Sequence, residues 1–218
     1  MKTNVGDALI HTLKKSDLEN LFSNSAEYAL DQLLENDALK EIPVFSTIMS
    51  LIKVGIGIRE QIFYKKLFKF LCSISDVSCE DRRRMIDRLE NDTDFNQNVG
   101  EHIVLLLDRM DDLHKPSLMG RAFKAYLDGK ISGKQLQQIN FGIDRIFSYN
   151  LPELKKFYSK EFEDDRANAN LEPIVVQNLG SCGFVDFSAR TGGGVFCTKN
   201  ELGRIFTSTI LRGHSFIN

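Results

Sequence analysis

The stretch IPVFSTIMSLIKVGIGIREQIFYKKLFKF, residues 42–70, constrains this chain more than any other. Its first seventeen residues, Ile42–Ile58, carry one charge, Lys53, and the remainder turns basic and amphipathic. A membrane-spanning helix needs about 20 predominantly apolar residues, and a lysine near the bilayer centre costs roughly 2.5–3.5 kcal/mol. The stretch is therefore a poor constitutive span. It works better inside a protein, where Lys53 reaches the edge while Val44, Ile48, Leu51, Ile52 and Ile58 pack inward. With Pro43 in a first helical turn, the pattern predicts one continuous helix from about Val44 to Ile74, strained only by Gly55 and Gly57.

The second half of that helix carries the candidate binding surface. Phe63, Leu67, Phe70, Leu71 and Ile74 share a stripe, with Gln61, Lys65, Lys66 and Lys69 roughly opposite. Lys53, Arg59, Lys65, Lys66 and Lys69 against Glu60 give residues 53–69 a local charge of +4. A basic amphipathic helix with an aromatic face suits an anionic membrane surface or a partner groove. Ile48, Leu51, Ile52, Phe63, Leu67 and Phe70 would supply the apolar contact, and Lys65, Lys66 and Lys69 the charge. The competing reading is a core helix with a solvated basic edge.

Around this segment the signals are helical. Ser16 and Glu19 have capping-box spacing ahead of Leu18, Leu21, Phe22, Tyr28, Leu30, Leu33 and Leu34. Ser78 with Glu80 and Asp81 opens a helix to about Leu89 whose surface carries Arg82, Arg83 and Arg84. Further helices are expected from about Asp92–Asp94 to His114, over 117–127 with Gly129 after the C-terminus, from Ser132 to about Tyr149, and from Asn150 to the acidic run 161–165. Residues 1–165 thus read as a multi-helix bundle with a long central helix.

After Asp165 the composition changes. Residues 171–179 predict a short helix, residues 183–188 and 195–198 the strands of a β-hairpin around Gly192-Gly193-Gly194, and Thr198 with Glu201 a capping box opening a last helix. LGSCGFVDF…GGGVFCTKNELGRIF resembles the wing and closing helix of the winged-helix family. The expected fold is mainly α, with a second domain over 166–218 formed by this winged-helix-like hairpin unit. Such a unit raises a DNA-binding alternative through Arg190, Lys199 and Arg204. Its would-be recognition helix, residues 171–179, contains no Lys or Arg, so protein interaction is the better expectation.

Chemistry-bearing motifs are sparse. Cys72, Cys79, Cys182 and Cys197 stand 7, 103 and 15 residues apart, with His11, His102, His114 and His214 scattered, so no zinc-ligand spacing arises. Around Asp128-Gly129 the register of a calcium loop fails, because Lys124, Tyr126 and Gln135 occupy ligand positions. No nucleophile with an adjacent base stands out, and neither a catalytic residue, a metal nor a cofactor is expected. A net charge of −2 argues against a surface built to coat nucleic acid. The N-terminus lacks an apolar run of signal-peptide length, which gives a cytoplasmic expectation, with association at a membrane periphery as an added possibility.

The phrase IGIREQIFYKKLFKFL after the Ile-Pro-led apolar run, with the terminal KNELGRIF, resembles uncharacterised bacterial helical proteins of the abortive-infection, phage-defence kind. That resemblance implies a defence component and transfers no functional residue. The chain therefore reads as a non-enzymatic interaction protein acting on a partner, on itself or on a membrane. A winged-helix DNA-binding regulator and a scaffold subunit of an oligomer are the alternatives.

Overall fold

The computed structural model describes residues 4–15, 18, 22, 40–51, 57–93, 95, 98–159, 171–189 and 195–213, with the side chains of 188, 189, 195 and 196 excepted. The chain is mainly helical, with one small antiparallel sheet. It divides into two compact units, Met1–Gly133 and Lys134–Asn218.

The first unit contains α1 (Val5–Leu13), α2 (Pro43–Leu51), α3 (Ile58–Ile74), α4 (Cys79–Glu90), α5 (Val99–Arg109) and α6 (Lys115–Leu127). Pro43 does begin a helix, but the continuous helix to Ile74 is not formed. Gly57 is extended (φ −71°, ψ 166°), and its carbonyl accepts the Gln61 N–H at 3.0 Å, so α3 starts afresh. A glycine weakens a helix interior by about 1 kcal/mol relative to Ala, and here that weakness becomes a break. Gly55, Ile52 and Lys53 lie outside the described residues.

Helix α3 packs on α6, with the Phe70 and Phe123 rings edge to face at 5.8 Å. On another side Phe45 of α2 meets the Tyr64 ring at 4.2 Å. Helices α1 and α5 cross where both lack side chains: a Cβ on Gly6 would sit 2.8 Å from the Glu101 nitrogen, and one on Gly100 would overlap the Gly6 carbonyl. Thr12 ties α1 to α2 by accepting the Val44 N–H at 3.1 Å while donating to Ala8 O at 2.9 Å.

Local signals set several ends. Ser78 caps α4 by accepting the Asp81 N–H, and Gly129 (φ +71°) closes α6 after Asp128, with the Lys130 N–H on Ala125 O at 2.9 Å. Helix α5 starts later than expected, at the Asn98 cap, whose side chain accepts the Glu101 N–H at 2.9 Å. The predicted Ser16–Glu19 capping box lies outside the described residues.

Arg82 overturns the reading of Arg82-Arg83-Arg84 as a surface triplet. It is 1% exposed and donates to the carbonyls of Leu13, Lys15 and Val77. Arg83 stays exposed and donates to Lys14 O at 3.1 Å, so the carbonyls at the end of α1 are satisfied from α4. A helix leaves its last four carbonyls without intrahelical partners, which is why donors are needed there.

His102 of α5 adds a pH response. Its ring stands edge to face with Phe95 at 5.1 Å, its Nε2 has no hydrogen-bond partner among the described residues, and burial lowers its pKa from 6.5. The neutral ring is thus favoured in the folded state. Below about pH 6.5 the unfolded chain takes up a proton that the folded chain resists, so stability falls as pH drops through that value, by at most about 1.4 kcal/mol per pH unit. Urea midpoints at pH 7.5 and 5.5 should show a loss on acidification that shrinks in His102→Leu.

The second unit holds α7 (Gly133–Arg145), a 3-10 turn (Ser148–Asn150), α8 (Leu151–Tyr158), α9 (Pro173–Ser181), β1 (Val185–Ala189), β2 (Val195–Lys199) and α10 (Glu201–Ile205), continued by a wider turn over Phe206–Ile210. The strands pair from Val185↔Lys199 to Ala189↔Val195, as the hairpin reading expects. The expected tip, residues 192–194, lies outside the described residues, as does the acidic run 161–165.

Helix α7 ends at Arg145 rather than near Tyr149. Asn178 of α9 explains this, since its Oδ1 accepts the Phe147 N–H at 3.1 Å and the Asn150 Nδ2 at 2.9 Å. Helix α10 is capped by Asn200, not by Thr198, which belongs to β2: Asn200 Oδ1 accepts the Gly203 N–H at 2.8 Å, and its Nδ2 reaches Gly183 O at 3.1 Å. Tyr158 joins α8 to this corner. Its hydroxyl donates to Phe184 O at 2.7 Å and accepts the Asn200 N–H at 2.9 Å, and burial pushes its pKa up to about 12. These bonds explain why α7 and α8 belong with the hairpin.

Candidate functional site

The nine residues expected to bind a membrane or partner do not form one exposed surface. Ile48, Leu67 and Phe70 are buried in the first unit, Phe63 is half-buried, Leu51 is 56% exposed, and Ile52 lies outside the described residues. Phe68, which fell outside the predicted stripe, is buried against Phe22 with ring centres 5.2 Å apart. Helix α3 is thus enclosed on more than one side, with Tyr64, Leu67, Phe68, Phe70, Leu71 and Ile74 in the core, while Ile58, expected to pack inward, and Ile62 stay exposed near its start.

The lysines are engaged as well. Lys66 is 7% exposed and donates to Asp108 O at 3.1 Å; burial lowers its pKa while Asp108 and Asp111 oppose that shift. Burial likewise lowers the pKa of Lys69, with Asp112 opposing. Arg59 pairs with the Asp108 carboxylate at 2.9 Å. Lys65 is half-buried. The C-terminal end of α5 and the residues after it therefore supply acidic partners for charge that the sequence pattern assigns to lipid headgroups. No helix among the described residues is long and apolar enough to cross a membrane.

The residues of the DNA-binding alternative fall as follows. Arg190 lies outside the described residues, Arg204 is exposed on α10, and the Lys199 amine sits 5.9 Å from the centre of the Phe157 ring. Among the described residues no group of three or more His, Cys, Asp or Glu is placed to hold a metal ion. Cys182 and Cys197 are buried, and burial raises the Cys197 pKa, which disfavours the nucleophilic thiolate.

The second unit instead contains a cleft of about 730 Å³ between α7, the end of α9 and the start of α10. Gln135, Gln137, Gln138 and Phe141 line one side, Gly180–Gly183 and Asn200–Leu202 the other. Helix α7 builds its side by periodicity. Leu136, Ile139 and Ile143 are fully buried, which turns Gln137, Gln138 and Phe141 away from that core and leaves Gln135 at its edge. Phe141 is 46% exposed, and the Arg145 guanidinium lies 4.3 Å from its ring centre. Glu201 opens α10, where the helix dipole favours a carboxylate, and one of its oxygens accepts from Gln135 Nε2 at 3.4 Å.

Nearby in the chain, Phe147 and Tyr149 stack at 5.4 Å with ring planes 8° apart, and both are exposed. Phe187 is 54% exposed and rests on Gly180, where a side chain would collide with its ring. None of these residues follows from a motif. The available signal is a phenylalanine at position 141, off the Leu136–Ile139–Ile143 stripe, on a face it shares with the polar residues Gln137, Gln138 and Arg145. Comparison with family models, with curated proteins and with solved structures returns no significant match.

Proposed function

We propose that this protein acts by binding rather than by catalysis, and that its partner is a polypeptide segment received in the cleft of residues 134–218. One observation carries the reading: amide side chains and the exposed Phe141 ring converge on the same 730 Å³ cleft. Amides match the donors and acceptors of a peptide backbone, and an exposed ring gives a side chain something to cover. The basic helix supports the reading by exclusion, since Leu67 and Phe70 are committed to the core and Lys66 to Asp108. A place in bacterial defence belongs to the same proposal, on the resemblance alone.

Selection of a random displayed peptide library on the full chain tests this directly. Enriched peptides should bind the native chain and lose binding at least about tenfold on Phe141→Ser, a change at an exposed position that leaves the fold intact. Enrichment of no sequence family that depends on Phe141 would overturn the proposal.

A further inference from the structure

The cleft is nearly uncharged along its lining. Of the described residues that line it, Glu201 is the sole charged one, and no Lys or Arg is among them. Its carboxylate is exposed and has about four acceptor positions, of which the Gln135 bond uses one. Across the cleft stands Phe141, whose ring already takes the Arg145 guanidinium. A guanidinium stacks on an aromatic face and pairs bidentately with a carboxylate, whereas an ammonium acts as a point charge.

We propose that the cleft recognises an arginine side chain carried on an extended peptide, with Glu201 holding the guanidinium and the exposed Phe141 covering its aliphatic stem. The exposed amide of Gln138 then faces the backbone of the same peptide. This inference rests on the peptide-binding reading above and adds the class of residue recognised.

The test is a chemical-shift titration of the full-length, nitrogen-labelled chain with acetyl-Gly-Ala-Xaa-Ala-Gly-amide peptides in which Xaa is arginine, citrulline or glutamate. Citrulline keeps the shape of arginine without its charge. The arginine peptide should shift the amides of Gln138, Phe141, Gly183 and Glu201, and the citrulline and glutamate peptides should bind at least about tenfold more weakly. Glu201→Gln should weaken the arginine peptide by about the same factor while the β1–β2 amides keep their positions. Gln138→Lys, a change at an exposed site, should weaken it through like-charge repulsion and provides a second variant if the first disturbs α10.

Equal binding of the citrulline and arginine peptides at the cleft, or unchanged affinity in both variants, overturns arginine recognition and leaves peptide binding standing. Shifts outside the cleft, or no shift with any peptide, overturn both.

Discussion

Arg82→Ala should destabilise the first unit by about 3–4 kcal/mol, the largest effect expected from any single charged residue outside the cleft. The guanidinium is 1% exposed and donates to three carbonyls, Leu13 and Lys15 at the end of α1 and Val77 before α4. Alanine leaves those acceptors without their donor and opens a cavity of side-chain size. Lysine would not substitute, because one ammonium cannot reproduce a fork aimed at carbonyls on two segments. Arg83→Ala is the control: that side chain is exposed, and its loss should cost less than about 1 kcal/mol. Denaturant midpoints for the three variants measure the difference. Equal effects of Arg82→Ala and Arg83→Ala would show that Arg82 does not close α1.

Gly203→Ala should have the largest effect in the second unit, about 3 kcal/mol by overpacking. A Cβ there would overlap both the Phe184 carbonyl oxygen and the Tyr158 hydroxyl. Neither can retreat. The hydroxyl bonds Phe184 O and the Asn200 N–H, and Phe184 is stacked on Phe206 at 4.1 Å. Gly180→Ala makes a useful contrast, since the atoms nearest the methyl all belong to the half-exposed Phe187 ring, which can swing toward solvent. Hydrogen exchange of the β1–β2 amides should accelerate strongly in Gly203→Ala and modestly in Gly180→Ala. The reverse order would contradict the tight corner described here.

Local chemistry was legible in the sequence at several element ends, though the Asn98 and Asn200 caps were missed. The Pro43 start, the Ser78 cap, the Gly129 terminus and the paired strands of the hairpin all follow from neighbours in the chain. Long-range partners were not legible. Nothing in Arg82-Arg83-Arg84 says that the first arginine turns toward carbonyls of residues 13 and 15 while the others stay outside. Nor does the lysine-rich pattern of α3 reveal that Asp108 and Asp111 lie beside Lys66. Periodicity places a charged residue on a face, but solvation of that face depends on which helix covers it.

The same reasoning explains the candidate site. A stripe and a basic edge make α3 conspicuous, whereas a cleft built from Gln138, Phe141, Gly183 and Glu201 needs three segments brought together. Only the exposure of Phe141 against the buried Leu136, Ile139 and Ile143 hints at it locally.

The central claim is that the Leu67–Ile74 half of α3 is committed to the core of the first unit. Hydrogen exchange of the full chain with and without anionic vesicles tests this most directly. The amides of Leu67–Ile74 should remain among the slowest to exchange in the first unit and show the same protection in both conditions. Loss of that protection on adding vesicles would mean that α3 leaves its core, and would contradict the account.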